Sequence, residues 1–179
     1  MSNQIYSEAK KIFDKYNGSH FHMERDGEYQ NYKKFKVPKE IEMVWNSQQR
    51  ENIAKKLFSI TDESERSSLF SQYCGMVNQA IDENGLQFIL EYAKKNQKNL
   101  DSYTNVRIAE SILNSVSRFS TELRKNAINI AIDLLTNIAT TAFWVSDSYK
   151  VDGAFPEYAT KGKIIDRVDR NIKYWTNEL

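Results

Sequence analysis

The stretch from Glu122 to Val145 constrains this chain more than any other. It reads Glu-Leu-Arg-Lys-Asn-Ala-Ile-Asn-Ile-Ala-Ile-Asp-Leu-Leu-Thr-Asn-Ile-Ala-Thr-Thr-Ala-Phe-Trp-Val, without Gly or Pro. Leu123, Ala127, Ile128, Ile130, Ala131, Leu134, Leu135, Ile138, Ala139, Ala142 and Phe143 spread over more than half of a helical circumference. A helix with so wide an apolar face is usually buried on most sides. The expectation is an innermost rod, wrapped by the segments before and after it.

Ala127 to Val145 is also about long enough to cross a bilayer. Asp133 stands near its middle, and a carboxylate at mid-bilayer costs about 2.5–3.5 kcal/mol. Asn126, Asn129, Asp133, Asn137 and Thr140 recur at three- and four-residue steps and make one polar stripe. A lipid-facing helix has no use for such a stripe, so no membrane association is expected. The stripe reads as solvated or bonded to a neighbouring helix. Its functional alternative is a polar pocket lined by Asn129, Asp133 and Asn137.

The remaining chain reads as helices. Two Pro and six Gly in 179 residues are too few for the turns of a β-rich fold. Helical spacing runs from Asn3 to Tyr16, with Ile5, Ala9, Ile12, Phe13 and Tyr16 on one side, and Asn17-Gly18 stops it. Pro38 to Phe58 is a second helix, polar enough over 46–52 to bend or break. Asp62 with Glu65 has capping-box spacing ahead of a third, which Asn84-Gly85 closes. Further helices run over Leu86–Gln97, from Asp101 or Ser102 to Phe119, and over Lys161–Asn177. The exception is Ser19–Val37, where His20-Phe21-His22-Met23-Glu24 alternates ahead of Asp26-Gly27. That pattern suits a small β-hairpin near residues 20–34 as well as a loop with a short helix.

Shifting the chain by 39 residues superposes two helical hairpins. Leu69, Phe70, Tyr73, Cys74 and Val77 meet Ile108, Ala109, Ile112, Leu113 and Val116. Phe88, Ile89, Tyr92 and Ala93 meet Ala127, Ile128, Ala131 and Ile132. Stacked pairs at a period near 40 resemble a HEAT- or armadillo-like stack. The expected fold is thus all-α, six to seven helices in a single domain over 1–179. It is either an irregular bundle or a short stack of hairpins. Residues 1–60 form the N-terminal part, 61–145 the paired hairpins, 146–160 a loop and 161–179 the closing helix.

Net charge is +1, so no global field favours nucleic acid or anionic lipid. The single cysteine, Cys74, sits in an apolar stripe and cannot form an internal disulfide. The N-terminus carries no apolar run after a basic start, which points to a cytoplasmic protein. No phosphate loop, dinucleotide fingerprint, zincin helix or serine-hydrolase elbow occurs. His20, His22 and Glu24 would project together from a strand, but the spacing has no second half elsewhere, so neither a metal nor another cofactor is expected.

Three functional readings remain. The leading one is a non-catalytic module that binds another protein, such as an inhibitor or immunity-type protein. It draws on surplus aromatics, two aromatic-basic loops and the lack of a catalytic set. Its candidate contact residues are Tyr29, Tyr32, Lys33, Lys34, Phe155 and Tyr158. The second is a small-ligand binder or enzyme using Asn129, Asp133 and Asn137. The third is single-stranded nucleic-acid binding through the Tyr/Lys cluster at 29–36, which the surrounding Glu and Asp residues disfavour.

Overall fold

The computed structural model describes residues 6–179, apart from the side chain of Ala139. Asn3 and Ile5 of the first expected helix therefore lie outside the described residues, as does the inward placement of Ala139. Among the described residues there are nine α-helices and no strand, so the protein is all-α. The excess over six or seven comes from residues 20–34, which form no hairpin but two short helices, the second inside the alternative short-helix reading of this segment.

Those residues fold instead as α2 (His20–Arg25) and α3 (Tyr29–Lys33), after α1 (Ser7–Lys15). The Ser19 hydroxyl accepts from the His22 N–H and caps α2. Asp26-Gly27 then ends a helix rather than reversing a strand. Gly27 takes φ +78°, and the Glu28 N–H reaches back to the Met23 carbonyl at 2.8 Å. Helical spacing buries Met23 and Tyr32 and leaves Phe21 72% exposed. α4 (Lys39–Ser59) runs unbroken through its polar middle.

The chain divides into two compact units, residues 1–55 and 56–179, where length alone favours one. In the first, Ala9, Phe13, Tyr16, Met23, Tyr32 and Trp45 form the core. Phe13 meets Trp45 edge-on, with ring centroids 5.2 Å apart.

The second unit holds α5 (Glu63–Ala80), α6 (Glu83–Asn96), α7 (Ser102–Ser115), α8 (Thr121–Thr140) and α9 (Lys161–Thr176). Short 3₁₀ turns at Asp147–Tyr149 and Glu157–Ala159 interrupt the connection before α9. The Glu65 N–H donates to Asp62 Oδ1 at 2.8 Å, as the capping-box spacing predicts. Asn84-Gly85, read from sequence as a stop, lies in the first turn of α6. The break comes earlier, at Ile81 with φ +52°. Arg66 fastens the end of α4 to α5 by donating to the Leu57 and Ile60 carbonyls. Those carbonyls lie where a helix runs out of its own donors.

The innermost rod is α7, not the expected 122–145 stretch. α7 packs chiefly between α5 and α8, and α9 covers α8 and part of α7. Eleven of its fourteen residues are buried, which leaves it almost no wet face. α8 buries Ala127, Ile128, Ile130, Ala131, Leu134, Leu135 and Ile138, but Asn126, Asn129, Asp133 and Asn137 are exposed. It also ends at Thr140, so Ala142 stands exposed beyond it. The physical reason is that α7's buried polar side chains find partners, Ser111 and Ser115 within their own helix. Ser111 Oγ donates to the Arg107 carbonyl and Ser115 Oγ to the Ser111 carbonyl, at 2.8 and 2.6 Å. A hydroxyl satisfied by its own helix can be buried at little cost.

At the 39-residue shift, Phe70, Tyr73, Cys74 and Val77 are buried, and so are Ala109, Ile112, Leu113 and Val116. Ile89 and Tyr92 correspond to Ile128 and Ala131 in the same way, but Leu69, Phe88 and Ile132 are only half-buried where Ile108, Ala127 and Ala93 are buried; α5 packs on α7 and α6 on α8.

Candidate binding groove

The end of α6, the end of α8 and the start of α7 converge in the second unit. Asn105, on α7, donates its amide to the Gln97 and Leu100 carbonyls at 2.9 and 3.1 Å. This pins the turn that leads from α6 into α7. Thr141 Oγ1 donates to the Asn137 carbonyl at 2.7 Å and closes the last turn of α8. The chain then runs back along α7. The Ser102 N–H donates to the Trp144 carbonyl at 2.8 Å, and the Trp144 N–H to Ser102 Oγ at 3.2 Å.

These three elements enclose a cleft of about 350 Å³, lined by Gln97, Lys98, Leu100, Ser102, Asn105, Leu134, Asn137, Ile138, Thr141, Ala142 and Trp144. A second basin, about 380 Å³, is lined by Lys94, Gln97, Ile130, Asp133, Leu134, Thr136 and Asn137. Gln97, Leu134 and Asn137 belong to both. Asn137 Nδ2 donates to Gln97 Oε1 at 2.8 Å, joining the α6 and α8 walls. The basins together follow α8 through Ile130, Asp133, Leu134, Asn137 and Ile138, one face of that helix. The first basin has no acidic residue and carries Lys98, while the second carries Lys94 and Asp133. The groove therefore offers apolar walls, neutral amides and a slight excess of positive charge.

Of the stripe residues, Asp133 and Asn137 line this groove, whereas Asn129 is exposed and lines neither basin. Leu100, Asn105 and Trp144 were not legible as site residues, since only the fold brings the Thr141–Trp144 segment back to α7.

The Tyr/Lys cluster does not form a contact surface as a set. Tyr32 is buried against Phe13 and donates to Glu42 Oε1 at 2.5 Å. Burial, with that bond, pushes its hydroxyl above the ordinary phenol range. Tyr29 is half-buried and packs on His20, with Lys33 over its ring. Lys33, Lys34 and Lys36 are exposed. Tyr32 therefore cannot stack on a base. Phe155 and Tyr158 are exposed, Phe155 beneath Lys150 and Tyr158 against Tyr103.

His20, His22 and Glu24 are spread around a helix, and His20 Nε2 meets Glu42 Oε1 at 3.1 Å instead. Among the described residues no group of three or more His, Cys, Asp or Glu stands ready to hold a metal ion. Cys74 is buried, and burial raises its thiol well above the ordinary range, which disfavours the thiolate a nucleophile needs. No helix among the described residues is long and apolar enough to cross a membrane. No known protein family, no curated protein and no solved structure matches the chain.

Proposed function

We propose that the protein is a non-catalytic interaction module, of the inhibitor or immunity type, that docks an extended acidic segment of another protein along α8. The observation that carries this reading is the pair of adjoining basins on one face of that helix. Gln97 and Asn137 offer amides suited to a peptide backbone, and Lys94 and Lys98 outnumber Asp133 on the walls. Charge of this kind steers encounter and fixes register more than it adds affinity. A short stack of helical hairpins, as the 39-residue correspondence suggests, would give such a groove a rigid back. A buried lone thiol suits a cytoplasmic setting.

The test compares wild type with Asn137→Glu, a change at an exposed position that sets a carboxylate at the groove's waist, where it repels an acidic segment. Co-purification from native lysate should enrich a partner with wild type and lose it with the variant, at equal thermal stability. No enriched partner, or one kept by the variant, overturns the reading. A small neutral ligand fits the same walls as a second reading, favoured by the enclosure of the first basin on three sides. Mass spectrometry of small molecules released from the purified protein tests it.

A further inference from the structure

The segment from Trp144 to Tyr149 is fastened at both ends. At one end the Trp144 backbone N–H and carbonyl both bond to Ser102, at the start of α7. At the other the Tyr149 hydroxyl lies 2.8 Å from the Thr104 hydroxyl and 2.9 Å from the Glu63 carbonyl, so it touches the starts of both α7 and α5. Burial pushes this phenol up to about 12, so it keeps its one proton and has two oxygens to serve. Thr104 in turn meets Asp101 Oδ2. With Asp101 protonated, the acid donates to Thr104, Thr104 to Tyr149 and Tyr149 to Glu63. With Asp101 ionised, Thr104 turns its O–H onto the carboxylate. Tyr149 then gives up either Thr104 or Glu63.

Asp101 is fully buried. Facing it are Glu63 and Arg66 of α5, the Tyr149 hydroxyl and the Ser146 N–H, with Arg107 of α7 beyond Tyr149. Arg66 pairs with Glu63 at 3.2 Å, which leaves Asp101 as the carboxyl without a cation of its own. Only Val145 separates the Ser146–Tyr149 turn from Trp144, which lines the first basin of the groove.

We propose that the proton on Asp101 is a latch: bound, it bolts the Ser146–Tyr149 turn to α5 and α7 together, and lost, it frees the turn from one of them and shifts Trp144 in the groove wall. This goes beyond the docking reading, since it concerns how the wall is set rather than what it receives.

The experiment uses the full chain with 5-fluorotryptophan at its three tryptophans, the Trp144 resonance being assigned from Trp144→Phe. The first basin has no acidic residue, so a carboxyl step at Trp144 has its source outside it. The resonance should move in one step, with a midpoint above about 4, the ordinary carboxylate value. Asp101→Asn, which keeps a donor and an acceptor, should hold it at its acid position throughout. Tyr149→Phe removes the middle of the relay and should also abolish the step, which keeps the test decisive if Asp101→Asn fails to fold. Asp147→Asn, exposed and paired with Lys150, should leave the step unchanged. Glu63→Gln should keep it and lower its midpoint, because a neighbouring carboxylate is gone. No step in wild type, a step that survives Asp101→Asn or Tyr149→Phe, or one lost in Asp147→Asn or Glu63→Gln overturns the latch. A partner lost by Asn137→Glu alongside a flat titration would leave the docking reading standing and remove only the latch.

Discussion

Asp101 Oδ2 and the Thr104 hydroxyl lie 2.5 Å apart, in the fully buried turn that starts α7. The same hydroxyl stands 2.8 Å from the Tyr149 hydroxyl, which in turn lies 2.9 Å from the Glu63 carbonyl. This chain of three contacts ties the start of α5, the start of α7 and the Ser146–Tyr149 turn together. Three contacts need three protons, and Thr104 and Tyr149 supply two. The third can come from Asp101 if its carboxyl is protonated. Burial, the largest influence on this carboxyl, pushes it upward and favours the protonated form. Glu63, raised by its own burial, lies beside it, with Arg66 at 3.2 Å from Glu63.

Asp101→Asn is therefore expected to be tolerated. Asn Oδ1 still accepts from the Tyr103 and Thr104 N–H groups, and Nδ2 takes the place of the acid O–H. The folded state holds the Asp101 proton more tightly than the unfolded chain does. Stability from this group is then greatest below the unfolded carboxylate range, near 4, and falls as pH rises through the folded value. The variant should lack that slope and match or exceed wild type at pH 7. Urea unfolding at pH 4.5 and pH 7 checks it. A loss of more than about 1 kcal/mol at pH 7 would show that the ionised cap is needed.

Tyr149→Phe removes the middle of the same chain while keeping the ring against Tyr103, 4.7 Å away between centroids. It leaves the Glu63 carbonyl and the Thr104 hydroxyl each short of a partner. The expected cost is about 1–3 kcal/mol, a penalty typical of unmet buried polar groups. Denaturant midpoints read it, and a change below about 0.5 kcal/mol would mean that the hydroxyl is not part of the fold's support.

Most of the helices were legible because their apolar positions repeat at helical spacing, and the signal is strong where the wet face is charged. It misplaced the centre because Ser102, Thr104, Asn105, Ser111 and Ser115 read as polar yet are buried in α7. Ser111 and Ser115 bond to their own helix, and Ser102, Thr104 and Asn105 meet Trp144, Tyr149 and the Gln97 and Leu100 carbonyls, partners that spacing alone does not show. Asp26-Gly27 left hairpin and loop-with-helix equally open for a related reason, since a left-handed glycine serves both a strand reversal and a helix end. Of the groove, only Asp133 and Asn137 were foreseeable, as members of a stripe. Asn105 reads as one more polar helix residue until the Gln97 and Leu100 carbonyls are placed around it.

Two glycines of the second unit give opposite predictions from the same substitution. Gly75 lies in α5, exposed, and a Cβ there would meet nothing within 4 Å. Gly75→Ala should stabilise by about 0.5–1 kcal/mol, the usual gain on removing a helix-interior glycine. Gly85, in the first turn of α6, is buried. A Cβ there would fall 2.6 Å from Val77 Cγ2 and 2.8 Å from Asp82 Oδ2. Val77 is fully buried on α5 and stiff at its branched carbon, so it cannot yield. Gly85→Ala should therefore push α6 off α5 and destabilise by about 1–3 kcal/mol despite its better helix propensity. Chemical denaturation of the two variants side by side decides it. Equal stability would show that α5 and α6 can separate freely at this crossing.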